Sequence, residues 1–245
     1  MVRVGTSGWY YDHWRGHLYP EALKKEDFFA YYAQRYSTVE INSTFYRVPT
    51  ERMVEGWARK APPGFLFAAK GARLITHRKR LAEVDETLRF FLGRLQGLGA
   101  KLGPLLWQLP PSLQRDDARL RGFLERLPRE YRHAIEFRHS SWLEEAVFAL
   151  LREHNVAFCA ISLPGFPPTL VRTAPFVYIR FHGVERRYSD HYTEDALKPW
   201  VDKLAEALSP QGEGFCYFNN DVGGHAVRDA ARFREMLNEA GVEAR

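Results

Sequence analysis

One pattern constrains this chain more than any other. Eight times, a short β-prone run with polar residues at its end precedes a stretch that is usually helical in its apolar spacing. The runs are Val2–Thr6, Thr38–Asn42, Phe65–Lys70, Pro104–Leu109, His133–Arg138, Val156–Ile161, Phe176–His182 and Gly214–Asn219. Each has the bounded ends and the β-branched or aromatic content of a buried strand. The helical stretches between them are Glu26–Tyr36, Glu51–Lys60, Asp85–Leu98, Ala118–Leu127, Ser141–His154, Glu194–Leu208 and Ala226–Ala240, with Ser141 and Thr193 as expected N-caps. Strand starts recur roughly 20–40 residues apart, which is the rhythm of a (β/α)₈ barrel. A doubly wound open sheet is the competing architecture, and eight strands all ending in polar groups favour the barrel. The sixth crossover, Ser162–Pro175, carries four prolines and is expected to lack most of its helix.

Composition narrows the class further. With 245 residues, 45% hydrophobic, the chain is long enough to bury a core without cross-links and is read as one barrel domain over 1–245. Lys and Arg exceed Asp and Glu by 35 to 30, a net charge of +5, which excludes an acidic solvating protein and falls far short of a histone-like tail. Cys159 and Cys216 both sit in apolar runs, so a disulfide scaffold is excluded and a reducing, cytoplasmic setting is expected. No run of about 18 apolar residues suggests a membrane span, and the N-terminus lacks a signal-peptide pattern.

Chemistry in such a barrel collects at the carboxyl ends of its strands. Strand side chains alternate, so Glu40 with Asn42, Glu136 with Arg138, and Arg180 with His182 each share a face, while Val39, Ile41, Ile135, Phe137, Ile179 and Phe181 pack outward. Ionisable groups pointing into a barrel must pair with one another or with a ligand. One reading makes them ion pairs that only hold the barrel together; so many polar strand ends favour a functional ring. Glu40 and Glu136 are the acid–base candidates, with Lys70 and His182 polarising a carbonyl or phosphoryl group. Lys70, if desolvated, could also form a Schiff base, although a lone strand-end lysine reads first as an electrostatic partner.

Candidate substrate-binding residues surround these four. Arg138, Arg180 and the loop Asn219, Asn220, Asp221, Gly223 and Gly224 are expected to bind an anion, the glycines freeing backbone N–H groups ahead of the last helix. Asn42 and Gln108 lie at strand ends. Trp9, Tyr46 and Arg47 belong to aromatic loops able to stack on a base or sugar. Arg73 and His77 open a basic cluster that runs to Arg80 and, with Arg186 and Arg187, could steer a polyanion; a solvated surface explains such a run equally simply. No cofactor is expected. There is no dinucleotide fingerprint after the first strand and no HExxH or cysteine pair, so a divalent metal held by Glu40, Glu136, His182 and Asp221 is the weaker alternative.

Taken together, Gly5–Trp9 (GTSGW), His13–Pro20 (HWRGHLYP), Val39–Arg47 (VEINSTFYR), Pro62–Lys70 with Ile75–His77, Leu102–Ser112, Ile135–Trp142 (IEFRHSSW), Tyr178–Gly183 (YIRFHG) and Tyr217–Asp221 (YFNND) resemble the YecE-like family along nearly the whole chain. The resemblance implies a TIM-type barrel and one pocket built from these motifs. It supplies no reaction. Family members tend to carry an acidic residue at the end of the sixth strand, where this chain reads Ile161-Ser162-Leu163-Pro164, a departure that weakens a metal role.

Three functions therefore compete. The first is an enzyme acting by acid–base chemistry on a phosphorylated, nucleotide-like or other small anionic substrate. The second is a metal-dependent phosphoesterase or nuclease, by fold analogy alone. The third is a non-catalytic nucleic-acid-binding protein using the Arg73–Arg80 cluster, whose affinity would fall steeply with salt.

Overall fold

A computed structural model describes residues 1–208 and 212–245. Its eight strands are β1 (Val2–Thr6), β2 (Thr38–Ile41), β3 (Leu66–Lys70), β4 (Leu102–Gln108), β5 (His133–Glu136), β6 (Val156–Ser162), β7 (Phe176–Phe181) and β8 (Glu213–Phe218). All pair in parallel, in the order β1-β8-β7-β6-β5-β4-β3-β2. The barrel nearly closes between β1 and β2, where the bridge Ser7–Glu40 is joined by a hydrogen bond from Gly8 N to Glu40 O at 2.8 Å.

Gly5 permits that closure. A Cβ there would stand 2.4 Å from the carbonyl oxygen of Thr38, so any side chain must drive β1 from β2. Gly5→Ala is expected to cost about 2–3 kcal/mol through overpacking. A melting temperature unchanged by this substitution would show that the β1–β2 seam is not tight.

Between the strands lie α1 (Phe28–Tyr32), α2 (Ser43–Tyr46), α3 (Glu51–Lys60), α4 (Asp85–Leu95), α5 (Asp117–Leu124), α6 (Glu145–Glu153), α7 (Glu194–Ala207) and α8 (His225–Glu239). The 3–4 apolar spacing of α4 buries Leu88, Phe91, Leu92 and Leu95 against the sheet. Thr193 caps α7, its hydroxyl accepting from Ala196 N at 3.3 Å.

Two helical expectations need correction. Ser141 does not cap α6; it lies in a 3₁₀ turn over Ser140–Trp142, its hydroxyl accepts from Arg115 N at 2.9 Å, and α6 starts only at Glu145. The stretch Glu26–Tyr36 is α-helical only over Phe28–Tyr32, behind a 3₁₀ turn at Lys25–Asp27. There, tight aromatic packing sets the chain path: Tyr19 stacks on Phe28 with ring centroids 3.9 Å apart.

The proline-rich crossover contains no helix. Thr173 secures it instead, its hydroxyl accepting from Phe158 N and lying 2.6 Å from Val156 O.

Side-chain parity sorts the barrel into two cores. Val39, Ile41, Ile135, Phe137, Ile179 and Phe181 face outward into the layer beneath the helices. Leu66, Ala68, Leu106, Ala134, Cys159, Tyr178 and Tyr217 fill the interior. The interior is therefore apolar in its middle and polar toward the carboxyl ends.

Candidate active site at the carboxyl ends of the strands

The same parity carries the polar strand ends into one network. Arg180, fully buried, lies between Glu40 and Glu136: Nη2 donates to Glu40 Oε1 at 2.8 Å and Nη1 to Glu136 Oε2 at 2.6 Å. Glu40 also accepts from Ser7 Oγ and from Tyr178 OH, each at 2.7 Å. Glu136 accepts a second guanidinium through Arg138 Nε. Burial alone would raise the Glu136 pKa, but Arg138 and Arg180 outweigh it and hold the carboxyl well below its usual range.

His182 completes the ring as an acceptor. Its Nε2 lies 2.8 Å from Arg138 Nη2 and 3.4 Å from Arg180 Nη1. A guanidinium can only donate, so Nε2 is unprotonated and the neutral imidazole carries its proton on Nδ1. Asn219 Nδ2 lies 3.2 Å from Nδ1, and turning this amide over, which exchanges two nearly isosteric atoms, puts its oxygen where it accepts this proton. Burial and then the Arg138 and Arg180 charges push His182 down to about 3. The expected polarising role of His182 is thus corrected: it is neutral and its Nε2 lone pair is engaged.

Lys70 differs from every other charge in the ring. It is 7% exposed, and its Nζ lies 4.3 Å from the centroid of the Phe45 ring with no hydrogen-bond acceptor among the described residues. Nor is Nζ among the atoms sealed from solvent, so the small exposed part includes the amine tip. Burial, then the charge of Arg180, lowers its pKa from 10.5 to about 7. Gln108 ends the neighbouring strand, where Leu106 is in register with Lys70 and Gln108 with Glu136. Arg138 keeps Nη1 free of protein partners among the described residues.

Other expected residues form the walls. Phe45 touches Lys70 on its face and His77 edge-on, at a centroid distance of 4.9 Å. His77 is held by Thr76 Oγ1 at 2.9 Å and lowered to about 4, by burial first and then by Lys70 and Arg73. Phe45, Tyr46, Arg73 and Arg78 line a cleft of ≈ 300 Å³. Tyr46, Arg47 and Arg73 are exposed. Trp9 packs edge-on against Phe29 and Trp57, and with Asn42, Tyr11 and Met53 it lines a second cleft of ≈ 430 Å³. The amide oxygen of Asn42 is enclosed without a partner among the described residues. A comparable cleft of ≈ 440 Å³ at Tyr36, Pro63 and Arg245 lies at the opposite pole, where β2 and β3 begin, and holds none of the ring.

Several anion-binding expectations are corrected by geometry. Arg180 is the counter-ion of two glutamates and offers neither Nη to a ligand. Asn220 has the opposite parity to Asn219; it donates to Asp190 O at 2.7 Å and Asp229 Oδ2 at 2.6 Å, tying β8 to α8. Gly223 and Gly224 take φ of +66° and +68°, but the amides of Val222, Gly224, His225 and Ala226 all donate to backbone carbonyls, so most of the N–H groups that an anion cradle would need are already spent. Asp221 faces the first loop: its carbonyl accepts from His13 at 2.8 Å and Trp14 at 3.2 Å, and burial raises its carboxyl pKa. The Glu40–Glu136–His182–Asp221 metal set does not assemble, because Arg180 fills the space between the glutamates, and among the described residues no three metal-ligating side chains converge.

Sequence reasoning missed Tyr178, Ser7 and Cys159 as members of the network. Tyr178 could have been found, since it is two residues before Arg180 on the same face. Cys159 donates to Glu136 Oε2 at 3.8 Å, and burial raises its pKa far above the usual thiol range.

Fold and site together define a parallel (β/α)₈ barrel with a buried, charge-paired ring at its carboxyl-end mouth. The family model described as "Protein of unknown function DUF72" matches residues 3–245, and the chain belongs to that family. It is 26% identical over 234 residues to UPF0759 protein YecE of Escherichia coli K12, covering 84% of this chain and 82% of that protein. It is 23% identical to UPF0759 protein YunF of Bacillus subtilis, covering 97% and 95%. A DUF72 family protein from Thermotoga maritima superimposes with a TM-score of 0.86 at 33% identity, covering 97% of this chain and 99% of that one. These relationships establish the family and the barrel. No helix among the described residues is long and apolar enough to cross a membrane.

Proposed function

We propose that this protein is an enzyme that binds a small anionic substrate at the carboxyl-end mouth, with Lys70 as its acid–base group. The charge count of the ring carries the reading. Glu40 and Glu136 are balanced by Arg180 and Arg138, and His182 is neutral. Protonated Lys70 therefore leaves the ring one positive charge in excess, and deprotonated Lys70 leaves it neutral. An anion supplies the missing charge. Lys70 changes protonation near neutral pH, as proton transfer requires, whereas Glu136 stays ionised and His182 stays neutral. The Phe45 wall continues into the cleft bearing Arg73 and Arg78, which suits a phosphorylated or carboxylated substrate.

Thermal shifts with phosphate, sugar phosphates and nucleotides, in chelator, test this at pH 6.5 and 8.5. A ligand at 100 times its Kd adds about 2.7 kcal/mol, or roughly 5–10 °C for a chain of this length. The shift is expected to be larger at pH 6.5, where Lys70 is charged. Silence across the panel, or equal shifts in Lys70→Met, would overturn the reading.

Short DNA and RNA belong in the same panel. The Arg73–Arg80 cluster is partly spent within the chain, since Arg80 donates to Ser112 Oγ at 2.7 Å and Lys79 to the carbonyl of Glu83. Salt-sensitive nucleic-acid binding without any small-anion shift would favour the non-catalytic function instead.

A further inference from the structure

We propose that the Lys70 ε-amine is a covalent nucleophile that forms an imine with a small anionic carbonyl compound. This rests on the anionic-substrate reading and names its substrate class: a ketone or aldehyde bearing a carboxylate or phosphate.

The placement of the amine separates a nucleophile from a simple proton carrier. A lysine that only shuttles protons is best held by an acceptor that fixes its N–H direction. Lys70 has none among the described residues; its Nζ rests over the Phe45 face, which leaves the lone pair of the neutral amine free. The backbone beneath it is fixed, because the Thr44 hydroxyl lies 2.7 Å from both Lys70 O and Ile41 O. Its side chain is enclosed while its tip reaches the mouth. Desolvation is how a lysine keeps enough neutral amine to attack near pH 7; at Lys70 burial acts first, Arg180 and Arg138 add to it, and Glu136 and Glu40 oppose it. Arg138 Nη1 and the Gln108 amide remain to hold the anionic group of the substrate.

The step balances without a further reactant. The amine lone pair attacks the carbonyl carbon, a C–N bond forms, and the former carbonyl oxygen takes a proton from the nitrogen to give a carbinolamine. That hydroxyl then leaves as water with the second amine proton, and a neutral imine results. Solvent protonation gives the iminium, whose charge occupies the place of the ammonium, with Glu136 and Glu40 nearby. No oxidation or reduction takes place.

The test is reductive trapping on the full chain. Pyruvate, dihydroxyacetone phosphate and pyridoxal 5′-phosphate are each incubated with the protein at pH 7.5, treated with borohydride, and followed by intact mass and peptide mapping. Acetone serves as the uncharged control. At least one anionic probe is expected to give one adduct per chain, mapped to Lys70, absent with acetone and absent in Lys70→Arg and Lys70→Met. Thermal melts confirm that both variants are folded. Adducts spread over exposed lysines such as Lys198, or none at Lys70 with any probe, would overturn the imine. If the imine fails while anion-induced shifts still depend on Lys70, the acid–base reading stands alone; if both fail, both fall.

Discussion

Arg180→Ala is expected to be the most destabilising single substitution in the ring. It would strip the shared counter-ion from two carboxylates that are both fully buried. Breaking a buried ion pair by removing one partner costs about 3–5 kcal/mol, because the remaining charge stays desolvated. For a chain of this length that is roughly 6–20 °C in melting temperature. The pH dependence separates this from simple loss of packing. Without Arg180, burial raises the folded-state pKa of Glu136 toward or above its unfolded value, so the deficit is full at pH 7 and shrinks as acid protonates the buried carboxyls. Melts of wild type and variant at pH 7 and pH 4.5 check this. A deficit of the same size at both values would assign the loss to the cavity, not to the stranded charges. Arg138 is a poor substitute, since its Nε and Nη2 are already committed to Glu136 and His182.

Lys70→Met is expected to do the opposite and raise stability. The folded-state pKa of Lys70, about 7, lies below its unfolded value of 10.5. The unfolded chain therefore binds more protons between those limits, and stability rises with pH across that window. The penalty for holding the ammonium in the ring is complete below pH 7, declines from pH 7 to 10.5, and is gone above that. A neutral chain of similar length removes it. At pH 6 the gain is expected to be about 3 kcal/mol, less than the full pKa shift implies because water reaches the amine tip. Near pH 10 the gain should be small. Equal stability of the two proteins at pH 6 would mean that Lys70 is solvated like a surface lysine, and the charge count behind the proposed function would lose its basis. Natural sites tolerate such a cost where the group has work to do.

The two substitutions together separate two kinds of charge in one ring. Arg180 pairs with both glutamates; Lys70 is expected to be destabilising, and in the proposed function a bound anion relieves it. This distinction bears on the expectation that Glu40 and Glu136 are the acid–base pair. Glu136 is held ionised by two guanidinium groups, and Glu40 receives hydrogen bonds from Ser7, Tyr178 and Arg180. In the proposed function both act as counter-charges within the ring, and Lys70 is the proton carrier.

Much of this was legible in the linear chain because it follows from periodicity. All eight strands lie where β-prone runs with polar ends place them, and α3 spans Glu51–Lys60 as its apolar spacing requires. Alternation alone sent Glu40, Glu136, Arg138, Arg180 and His182 inward and their neighbours outward. Ser162–Pro175 lacks a helix because prolines remove amide donors. The misreadings share one cause. Asn220 and Asn219 are adjacent and chemically alike, and only parity against β8 sends one to Asp229 and the other to His182. The glycines before α8 look like an anion cradle until the amides of Val222, Gly224, His225 and Ala226 are followed to their carbonyls.

The barrel and the set of polar side chains facing its interior follow from the linear chain, because they depend on residue type and on spacing along one strand. Which charge meets which depends on the folded barrel. Glu40 and Arg180 are 140 residues apart, and ion pairing depends on distances that barrel closure alone sets. That closure gave Arg180 to both glutamates and left Lys70 without a carboxylate partner among the described residues. A buried amine so placed has its charge set by its neighbours, which no reading of Lys70 in its own strand could supply.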